Sequence, residues 1–570
     1  IDAVDCESVV KIKSGTYFLT NQLNVASGSR INLRGGYDVI DGVEKRTSVP
    51  SEIVPAEGVS CRLLYANSVT DLKLDTLKFA GGRFGNTTVN SQYGAGLYLV
   101  SSTVAITNCV VTNCHTKAKN YAYGGGVYAS GSSLDIRNSC IFDNHTRTPE
   151  SYSDGAGIYT KEAVKTVISN CVFKRNWTCE QYYSGYGGGL YVSGGNADVS
   201  DCHFVSNMVS GLTDYAYSYT RGSAIFLGSS GNLKIKNCLF EYNVAHGMSG
   251  SGVVCVDSGT GVADISYSIF VNNRYTGWEP NKGYGNKYIV KDTYVYGGVG
   301  TYGGTVNLKH VLIADGVKTT PVRSNGGKIT LDRVTIANCA AKPFHVVSGS
   351  INVSRSVIDT ESEVLYTLDA GTFDAEYSCV PSREGLTGLG NFVADPLLAD
   401  DGYYHPLSRA GYYTEGFFSG GRWAASTTET CPTIDAGLNR DFYLEPEPNA
   451  LLENLGYDAG TPVASKSDLG NPPVPDSLAV WTMTPSNTAE ETAFARGVVP
   501  DFGQTEKVDV TLYWGDSDGG TTDAANWQNS LQLGQFDAYE YFSAFITNAA
   551  HRTYYRLTAT DAAGNVLIEA

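Results

Sequence analysis

The stretch YSGYGGGLYVSGG, residues 183 to 195, decides how the whole chain is interpreted. Its three consecutive glycines suggest a phosphate-binding loop, but no P-loop lysine follows them. A search for internal periods instead finds the pattern six times in all. The copies are GAGLYL at 94, GGGVYA at 124, GAGIYT at 155, GGGLYV at 187, GSAIFL at 222 and SGVVCV at 251.

A second block follows each glycine block, as in NCVFKRN and NCLFEYN. Its leading cysteine falls at Cys109, Cys140, Cys171, Cys202 and Cys238, and Ser268 takes the sixth place. The block returns without glycines from Val306, Ile329 and Ile351, at steps of 23 and 22 residues. A bare repeat is therefore about 23 residues long, and the earlier copies carry roughly eight more between the two blocks.

Apolar residues alternate with polar ones inside each block, as Leu233 and Ile235 do with Lys234 and Lys236. This period of two, with many β-branched residues, predicts strands, and helical spacing is almost absent. Short strands that recur at this period cannot bury their apolar faces alone. The sequence therefore predicts a solenoid in which equivalent residues stack about 4.8 Å apart.

Stacking turns repeated residues into columns. The block cysteines are expected to form an interior column of free thiols, since disulfides between residues stacked in register have unfavourable geometry. The closing position of the block is expected to form a hydrogen-bonded ladder at a turn. Its members are Cys114, His145, Asn176, Asn207, Asn243 and Asn273. The glycines are expected to allow a tight corner with positive φ before each strand.

Tyrosines concentrate on one side of the predicted solenoid. Alternation places one aromatic per coil outside the sheet, at Tyr98, Tyr128, Tyr159, Tyr191 and Phe226. The inserted segments add Tyr121, Tyr123, Tyr152, Tyr182, Tyr183, Tyr186, Tyr215, Tyr217 and Tyr219. Such a face suits sugar rings or a protein partner. The alternative is that the inserted segments fold back and cover the aromatic column.

Composition limits the function classes. A net charge of −17 with only 41 Lys plus Arg argues against nucleic acid or an anionic membrane as a partner. No apolar run is long enough for a membrane-spanning helix, so direct insertion is not expected. The chain opens at Ile1 rather than Met, and we interpret this as a processed export product, although a chain trimmed for another reason would look the same. The 13 cysteines show no zinc-binding spacing, and no cofactor is expected.

The alternation of a Gly-Gly-aliphatic element with an F-x-x-N element, as at Phe173 to Asn176 and Phe204 to Asn207, resembles the repeat of polymorphic outer-membrane proteins and related adhesin-like, pectate-lyase-like surface proteins. GTYFLTNQLNVASGSRINLRGGYD resembles their first coil, and FVADPLLADDGYYHPLSRAG with PTIDAG and NLGYDAG resembles their terminal cap. The resemblance implies an all-β fold, a right-handed parallel β-helix. It leaves function open among adhesins, phage spikes and polysaccharide-cleaving enzymes.

The end of the chain has a different pattern. NPPVPD, residues 471 to 476, suits a stiff linker, and the alternating strands after it resemble a fibronectin type III-like β-sandwich. We therefore predict a β-helix over residues 1 to 470 with its cap from about 391, and a sandwich over 477 to 570. GDSDGG could hold calcium through Asp516 and Asp518, but a polar hairpin tip is the favoured interpretation.

Several charged residues, histidines and cysteines have both a structural and a functional explanation. Asp198, Lys234 and Asp264 are expected to form an ion-pair ladder, and His115 and His145 to be turn histidines. Asp154, Asp214 and Arg221 could belong to a site in the inserted segments. Cys6 with Cys61 and Cys379 with Cys431 are candidate disulfides for an exported chain.

The expected function is that of a non-catalytic extracellular or cell-surface protein that acts through its tyrosines on a glycan, a surface protein or copies of itself. The alternative is a polysaccharide lyase or glycoside hydrolase, whose site would lie in the least regular stretch. Its candidate residues are Glu279, Lys282, Lys287, Lys291 and Asp292.

Overall fold

A computed structural model describes residues 8–180, 185–211, 219–246, 249–276, 296–316, 320–339, 341–426, 429–437, 441–450, 452–469, 481–483, 492–498, 507–520, 523–536, 541–547, 554–560 and 566–569. The chain divides into two compact units: residues 1–353 with 358–374, and residues 354–357 with 375–570. Regular structure in the described ranges is strand, apart from the short 3₁₀ helices Phe442–Leu444 and Ala524–Asn526. The predicted linker at 471 to 476 lies outside these ranges, so the predicted domain limits stay predictions.

One large sheet of 29 strands carries the repeat, and each coil pairs in parallel with the next. Its first strands are Ser8–Lys13, Thr16–Leu19, Leu23–Val25, Arg30–Ile40, Val43–Arg46, Ser51–Pro55, Leu64–Asn67, Asp71–Asp75 and Leu77–Ala80. The regular coils supply Leu97–Val100, Thr103–Thr107, Val110–Thr112, Val127–Ser130, Ser133–Arg137, Cys140–Phe142, Ile158–Ser169, Val172–Lys174, Leu190–Ser200, His203–Val205, Ile225–Leu227, Gly231–Lys236 and Leu239–Glu241. The last are Val254–Val271, Tyr296–Ala314, Thr320–Cys339, Phe344–Ser354, Val357–Thr360, Tyr366–Leu368 and Thr372–Glu376. The predicted all-β, parallel solenoid is confirmed.

The inserted segments build two further parallel sheets. Directly after the closing position of each block, the chain leaves the coil through strands that we call the leaving sheet: Arg83–Phe84, His115–Lys117, His145–Thr148, Trp177–Glu180, Met208–Gly211, Val244–His246 and Arg274–Thr276. It comes back to the glycines through the returning sheet: Ser91–Tyr93, Tyr121–Tyr123, Tyr152–Asp154, Gly185–Tyr186, Tyr219–Arg221 and Ser249–Ser251. The two sheets lie close together because the residues between them are small. Thr116, Thr146, Thr178, Ala122, Ser153 and Thr220 are all buried there.

Stacked phenylalanines form the centre of the coil interior. Phe173, Phe204, Phe240 and Phe270 are at most 1 % exposed, and successive ring centroids lie 4.5, 5.1 and 4.5 Å apart. Earlier coils place the smaller Val111 and Ile141 at the same level. The F-x-x-N element therefore supplies one buried ring per coil.

The predicted asparagine ladder forms, and it is buried. The Nδ2 of each side chain donates to the Oδ1 of the next, at 3.0 Å from Asn144 to Asn176, 3.0 Å from Asn176 to Asn207 and 3.1 Å from Asn207 to Asn243. Asn243 continues to Asn273 at 3.0 Å. The same Oδ1 atoms accept from backbone N–H groups of the preceding coil, for example that of Asn176. The ladder thus satisfies polar backbone groups that the sharp turn would otherwise leave buried without partners.

Two of the predicted column members are one residue out of register. Cys140 pairs with Val110 and Val172 and faces outward, while Ser139 takes the inward place beside Cys109. His145 likewise leaves the closing position of the ladder to Asn144 and begins a strand of the leaving sheet. The reason is that the coil before Ser139 is 30 residues long and the next is 32, and a slip of one residue exchanges the two faces of a strand. The other block cysteines, Cys109, Cys171, Cys202 and Cys238, are interior as predicted.

The glycines serve two purposes. The first glycine of each block has positive φ, from 55° to 63°, as predicted for a corner. The second and third glycines are needed because neighbouring coils approach closely. A Cβ on Gly157 would lie 2.3 Å from the carbonyl oxygen of Gly189, and one on Gly188 would lie 2.5 Å from that of Ser223. A side chain at Gly157 or Gly188 would therefore require a local shift of the backbone, whereas other copies carry Ala95, Ala156, Ser223 and Ala224 at the equivalent positions.

The second unit contains the terminal cap and the end of the chain. Its cap has little regular structure beyond the antiparallel pair Tyr412–Thr414 and Arg422–Ala424, and the buried His405 binds Asp458 through Nδ1 at 2.7 Å. The C-terminal strands form two antiparallel sheets. One contains Trp481–Met483, Thr492–Val498 and Tyr541–Thr547, and the other contains Asn529–Phe536, Val508–Gly515, Tyr554–Thr560 and Val566–Glu569. A fibronectin type III-like sandwich stays a prediction for this region.

Two further predictions need correction or restriction. Cys379 and Cys431 are buried and are not joined by a disulfide, and Cys61 has no disulfide either, while Cys6 lies outside the described residues. Asp198, Lys234 and Asp264 do stand in register, but no ion pair joins them within the described structure. Asp264 instead accepts a hydrogen bond from Asn307 at 2.8 Å. At an exposed surface, side-chain freedom outweighs the small gain from such a pair.

Candidate functional site

The aromatic residue of the first strand in each coil lies on the outer side of the main sheet, as alternation predicts. These residues are in register and form what we call the tyrosine column: Tyr65, Tyr98, Tyr128, Tyr159, Tyr191 and Phe226. Their inward neighbours, such as Leu97 and Ile158, are fully buried. The strand pattern therefore fixes the direction of every ring in the column.

The tyrosine column is covered rather than open. Tyr128, Tyr159 and Phe226 are only 5 %, 7 % and 2 % exposed, and Tyr98 and Tyr191 are half-buried. The prediction that Tyr98, Tyr128, Tyr159, Tyr191 and Phe226 form an open aromatic strip is therefore wrong. The alternative prediction, that the inserted segments fold back over these rings, is confirmed. Burial raises the pKa of the Tyr128 and Tyr159 hydroxyls well above the ordinary value.

Rings of the returning sheet provide the cover. The ring centroid of Tyr123 lies 4.8 Å from that of Tyr159, and Tyr186 lies 4.8 Å from Phe226. Tyr93, which the sequence analysis did not single out, lies 4.9 Å from Tyr128. Each ring reaches the column one coil further on, so the two layers interlock along the solenoid axis.

The outermost tyrosines of the returning sheet remain accessible. Tyr152 is 38 % exposed, and Tyr121 and Tyr186 are half-buried. The rings of Tyr121 and Tyr152 are nearly parallel, with an interplanar angle of 4° and centroids 6.1 Å apart. Tyr152 lies at the same distance from Tyr186. We call Tyr121, Tyr152 and Tyr186 the outer tyrosine row; Tyr186, which is in register with Asp154, belongs to the cover as well.

An arginine stands at each end of the aromatic layer. The guanidinium of Arg62 lies 4.4 Å from the ring centroid of Tyr98 and 3.9 Å from that of Phe84, and it donates to the Gly94 carbonyl. Burial lowers its pKa to about 10. Arg221 lies 3.6 Å from the ring centroid of Tyr302 and pairs with Asp257. Within the layer, Arg62 thus contacts Tyr98, and Arg221 lies 5.8 Å from the ring centroid of Tyr186.

Asp154 interrupts the layer. It stands in the returning sheet between Tyr123 and Tyr186, where the pattern would place a third ring. Its side chain is 4 % exposed, and its Oδ1 has no hydrogen-bond partner in the described structure. Burial raises the pKa of this carboxyl well above its ordinary value, opposed by a hydrogen bond from the Tyr186 backbone. The cover therefore includes a buried carboxyl whose surroundings favour the neutral form.

Ionisation of Asp154 is expected to weaken the fold as pH rises. The folded state holds the proton of Asp154 more tightly than the unfolded state does. The stabilisation that this proton gives the folded state is therefore complete below the ordinary pKa of 3.8 and is lost as pH rises toward the raised pKa. Asp154→Asn removes this component, so the variant should gain thermal stability relative to the wild type between about pH 4 and pH 8. Melting curves across this range measure the difference. Parallel curves for the two proteins would contradict the assignment.

A second aromatic stack was not anticipated. His115, His145 and Trp177 are in register on the leaving sheet, with ring centroids 5.0 and 4.3 Å apart. Burial lowers the pKa of His145 to about 3, with smaller contributions from His115 and Arg147. The two histidines occupy nearly matching positions in the sequence. Trp177 was not recognised as their neighbour because the predicted register at Cys140 was wrong by one residue. The histidines lie in a strand rather than a turn.

Several predicted site residues are placed elsewhere or lie outside the described residues. Tyr183, Tyr217 and Asp214, with the enzyme candidates Glu279, Lys282, Lys287, Lys291 and Asp292, fall outside, and so does the side chain of Tyr219. Asp518 accepts from the Gly520 backbone at 2.8 Å, as in a polar turn, and calcium binding by Asp516 and Asp518 stays a prediction. Within the described residues, no three His, Cys, Asp or Glu side chains are grouped so that they could share a metal ion.

Comparison with known proteins bears on the scaffold. Among the residues that the structure describes, no helix has the length and apolar character needed to cross a membrane. No curated protein matches the chain. Residues 77–220 match the family model described as a right handed beta helix region, and this range contains the part of the tyrosine column from Tyr98 to Tyr191. Taken with the parallel register, the match shows that the chain contains a right-handed parallel β-helix.

Proposed function

We propose that the protein acts outside the cell or on its surface, and that it binds glycans through the outer tyrosine row. The observation that carries this proposal is the near-parallel arrangement of Tyr121 and Tyr152, with Tyr152 exposed beside Tyr186. Rigid rings with hydroxyl groups at their tips offer contact area and hydrogen bonds at small entropic cost. Inserted segments on one side of a solenoid are also the usual place for binding surfaces.

The packing below the row supports the same proposal. Tyr123 is held against the tyrosine column in the coil that carries Tyr121, and Tyr186 is held against it in the coil after Tyr152. A surface that is rigid before binding loses little entropy when a ligand arrives. The net charge of −17 favours neutral or cationic sugars over acidic ones. A protein partner on the same row is the alternative ligand.

Tyr152→Ala is expected to weaken glycan binding about tenfold. The ligand would first be found by a glycan-array screen, and its dissociation constant then measured by calorimetry for both proteins. Tyr443→Ala removes a ring that is 67 % exposed elsewhere and serves as the matched control. Equal affinities for the wild type and Tyr152→Ala would contradict the proposal.

A product assay run beside the array separates this proposal from the enzyme alternative. Polysaccharides are incubated with the protein, with and without calcium, and new reducing ends and unsaturated products are measured. Binding without turnover supports the proposal. Turnover that persists in Tyr152→Ala would contradict the proposal and support the enzyme alternative, with a catalytic site that does not need Tyr152.

A further inference from the structure

The three outward faces of the coils differ sharply in chemistry. One carries the tyrosine column, and a second carries charged residues such as Asp135, Arg137, Lys165 and Lys234. The third, formed by the short strands of the second block, is mostly apolar, and we call it the apolar face. Its outward residues are Val110, Cys140, Val172, His203 and Leu239 in one column, and Thr112, Phe142, Lys174, Val205 and Glu241 in the other.

The apolar face is partly accessible along its length. Val172, Leu239, Phe142 and Val205 are half-buried in the free chain, the ordinary degree for the open side of a sheet. Cys140 also belongs here, and of the cysteines whose burial the structure describes it is the one that is not fully buried. A contiguous apolar surface of this kind, with a charged face beside it, is typical of a protein contact.

The charges on the apolar face are arranged with internal symmetry. Lys174 lies one coil before Val205 and Glu241 lies one coil after it, all in the same column. Glu241 has a contact with His203 at 3.3 Å, while Lys174 is exposed and forms no ion pair within the described residues. The column therefore presents a positive group and a negative group at equal distances from a central valine.

We propose that two copies of the chain associate through their apolar faces, related by a twofold axis that runs along the strand His203–Val205. This axis reverses the order of coils in the second copy while keeping the columns aligned. Lys174 of each copy then faces Glu241 of the other, Val172 faces Leu239, and Val205 faces its own equivalent, as an isologous contact requires. An axis parallel to the solenoid would instead place Lys174 level with the other Lys174 and Glu241 level with the other Glu241, so opposite charges would not meet and the antiparallel arrangement is favoured.

The size of the face sets the strength of the contact. Five coils at about 4.8 Å each give a surface only about 24 Å long. Such a contact belongs to the small class of interfaces, which are weak and reversible. The dimer should therefore appear as a concentration-dependent change in mass rather than as a permanent assembly. It does not depend on glycan binding, which uses a different face.

A charge exchange tests the proposal. Sedimentation velocity of the full chain over about a hundredfold range of concentration should show a monomer–dimer equilibrium in the wild type. Lys174→Glu should weaken the dimer at least tenfold, because it places like charges opposite each other, and Lys174→Glu combined with Glu241→Lys should restore it. Lys165→Glu makes the same change on the charged face and should leave the equilibrium unaltered.

Cross-linking locates the axis. Val205→Cys should give a covalent dimer under mild oxidation, and Val167→Cys on the charged face should not. A monomer at every concentration would overturn the proposal. So would a dimer that is indifferent to Lys174→Glu, or an exchange variant that folds normally but stays as weak as the single variant.

Discussion

Phe204→Ala is expected to lower the free energy of unfolding of the β-helix by about 3–5 kcal/mol. Phe204 is fully buried, and its ring lies 4.5 Å from that of Phe173 and 5.1 Å from that of Phe240. Its removal loses contacts to both neighbouring coils. The cavity left by the ring cannot collapse readily, because each of the three main-sheet strands of a coil is hydrogen-bonded in parallel to the next coil and holds its backbone in place.

Denaturant unfolding followed by circular dichroism measures this change. Phe18→Ala is the control, since Phe18 is 69 % exposed and should lose less than about 0.5 kcal/mol. Phe204→Leu should fall between the two, because it keeps much of the apolar volume. If Phe204→Ala unfolds at the same denaturant concentration as Phe18→Ala, the ring stack is not a stabilising core.

Asn207→Ala is expected to lower the free energy of unfolding by about 2–4 kcal/mol. The Oδ1 of Asn207 accepts from the backbone and the side chain of Asn176, at 3.1 and 3.0 Å. Its Nδ2 donates to the Phe173 carbonyl at 2.9 Å and to Asn243 at 3.1 Å. Alanine would leave the backbone N–H of Asn176 and the carbonyl of Phe173 buried without these partners, which is the costly part of the change.

The control for the ladder is another stacked asparagine pair at the surface. Asn232 donates to Asn196 at 3.1 Å and is exposed, so Asn232→Ala should change stability by less than about 0.5 kcal/mol. The same unfolding experiment compares the two variants. Similar small losses would mean that water replaces the interior ladder as easily as the exposed pair.

The repeat period was enough to predict the solenoid and most of its columns. Periodicity located inward residues such as Leu190 and Ile225, which are fully buried, because the side-chain direction in a strand is fixed by alternation. It failed at Cys140 because cysteine was used as the marker of register. The apolar pair Val111 and Ile141 marks the register more reliably there, since it is the inward residue that must be apolar.

The cover over the tyrosine column was harder to predict. Strands such as Tyr121–Tyr123 are three residues long, and they exist only because each pairs with the coil before and after it. Their interior residues, among them Ala122 and Ser153, are too small to give an apolar signal. Asp154 could not be recognised as a buried acid because, in sequence, it looks like an ordinary loop charge.

The lengths of the inserted segments show how much change the scaffold accepts. Between one fixed register position of the leaving sheet and one of the returning sheet, as from His115 to Ala122, the separations are 7, 8, 8, 12 and 6 residues in successive coils. The strands on both sides keep their pairing throughout. Peptide added at these tips is therefore decoupled from folding, so the tips can diversify quickly under selection and could accept grafted loops while the coils beneath them stay unchanged.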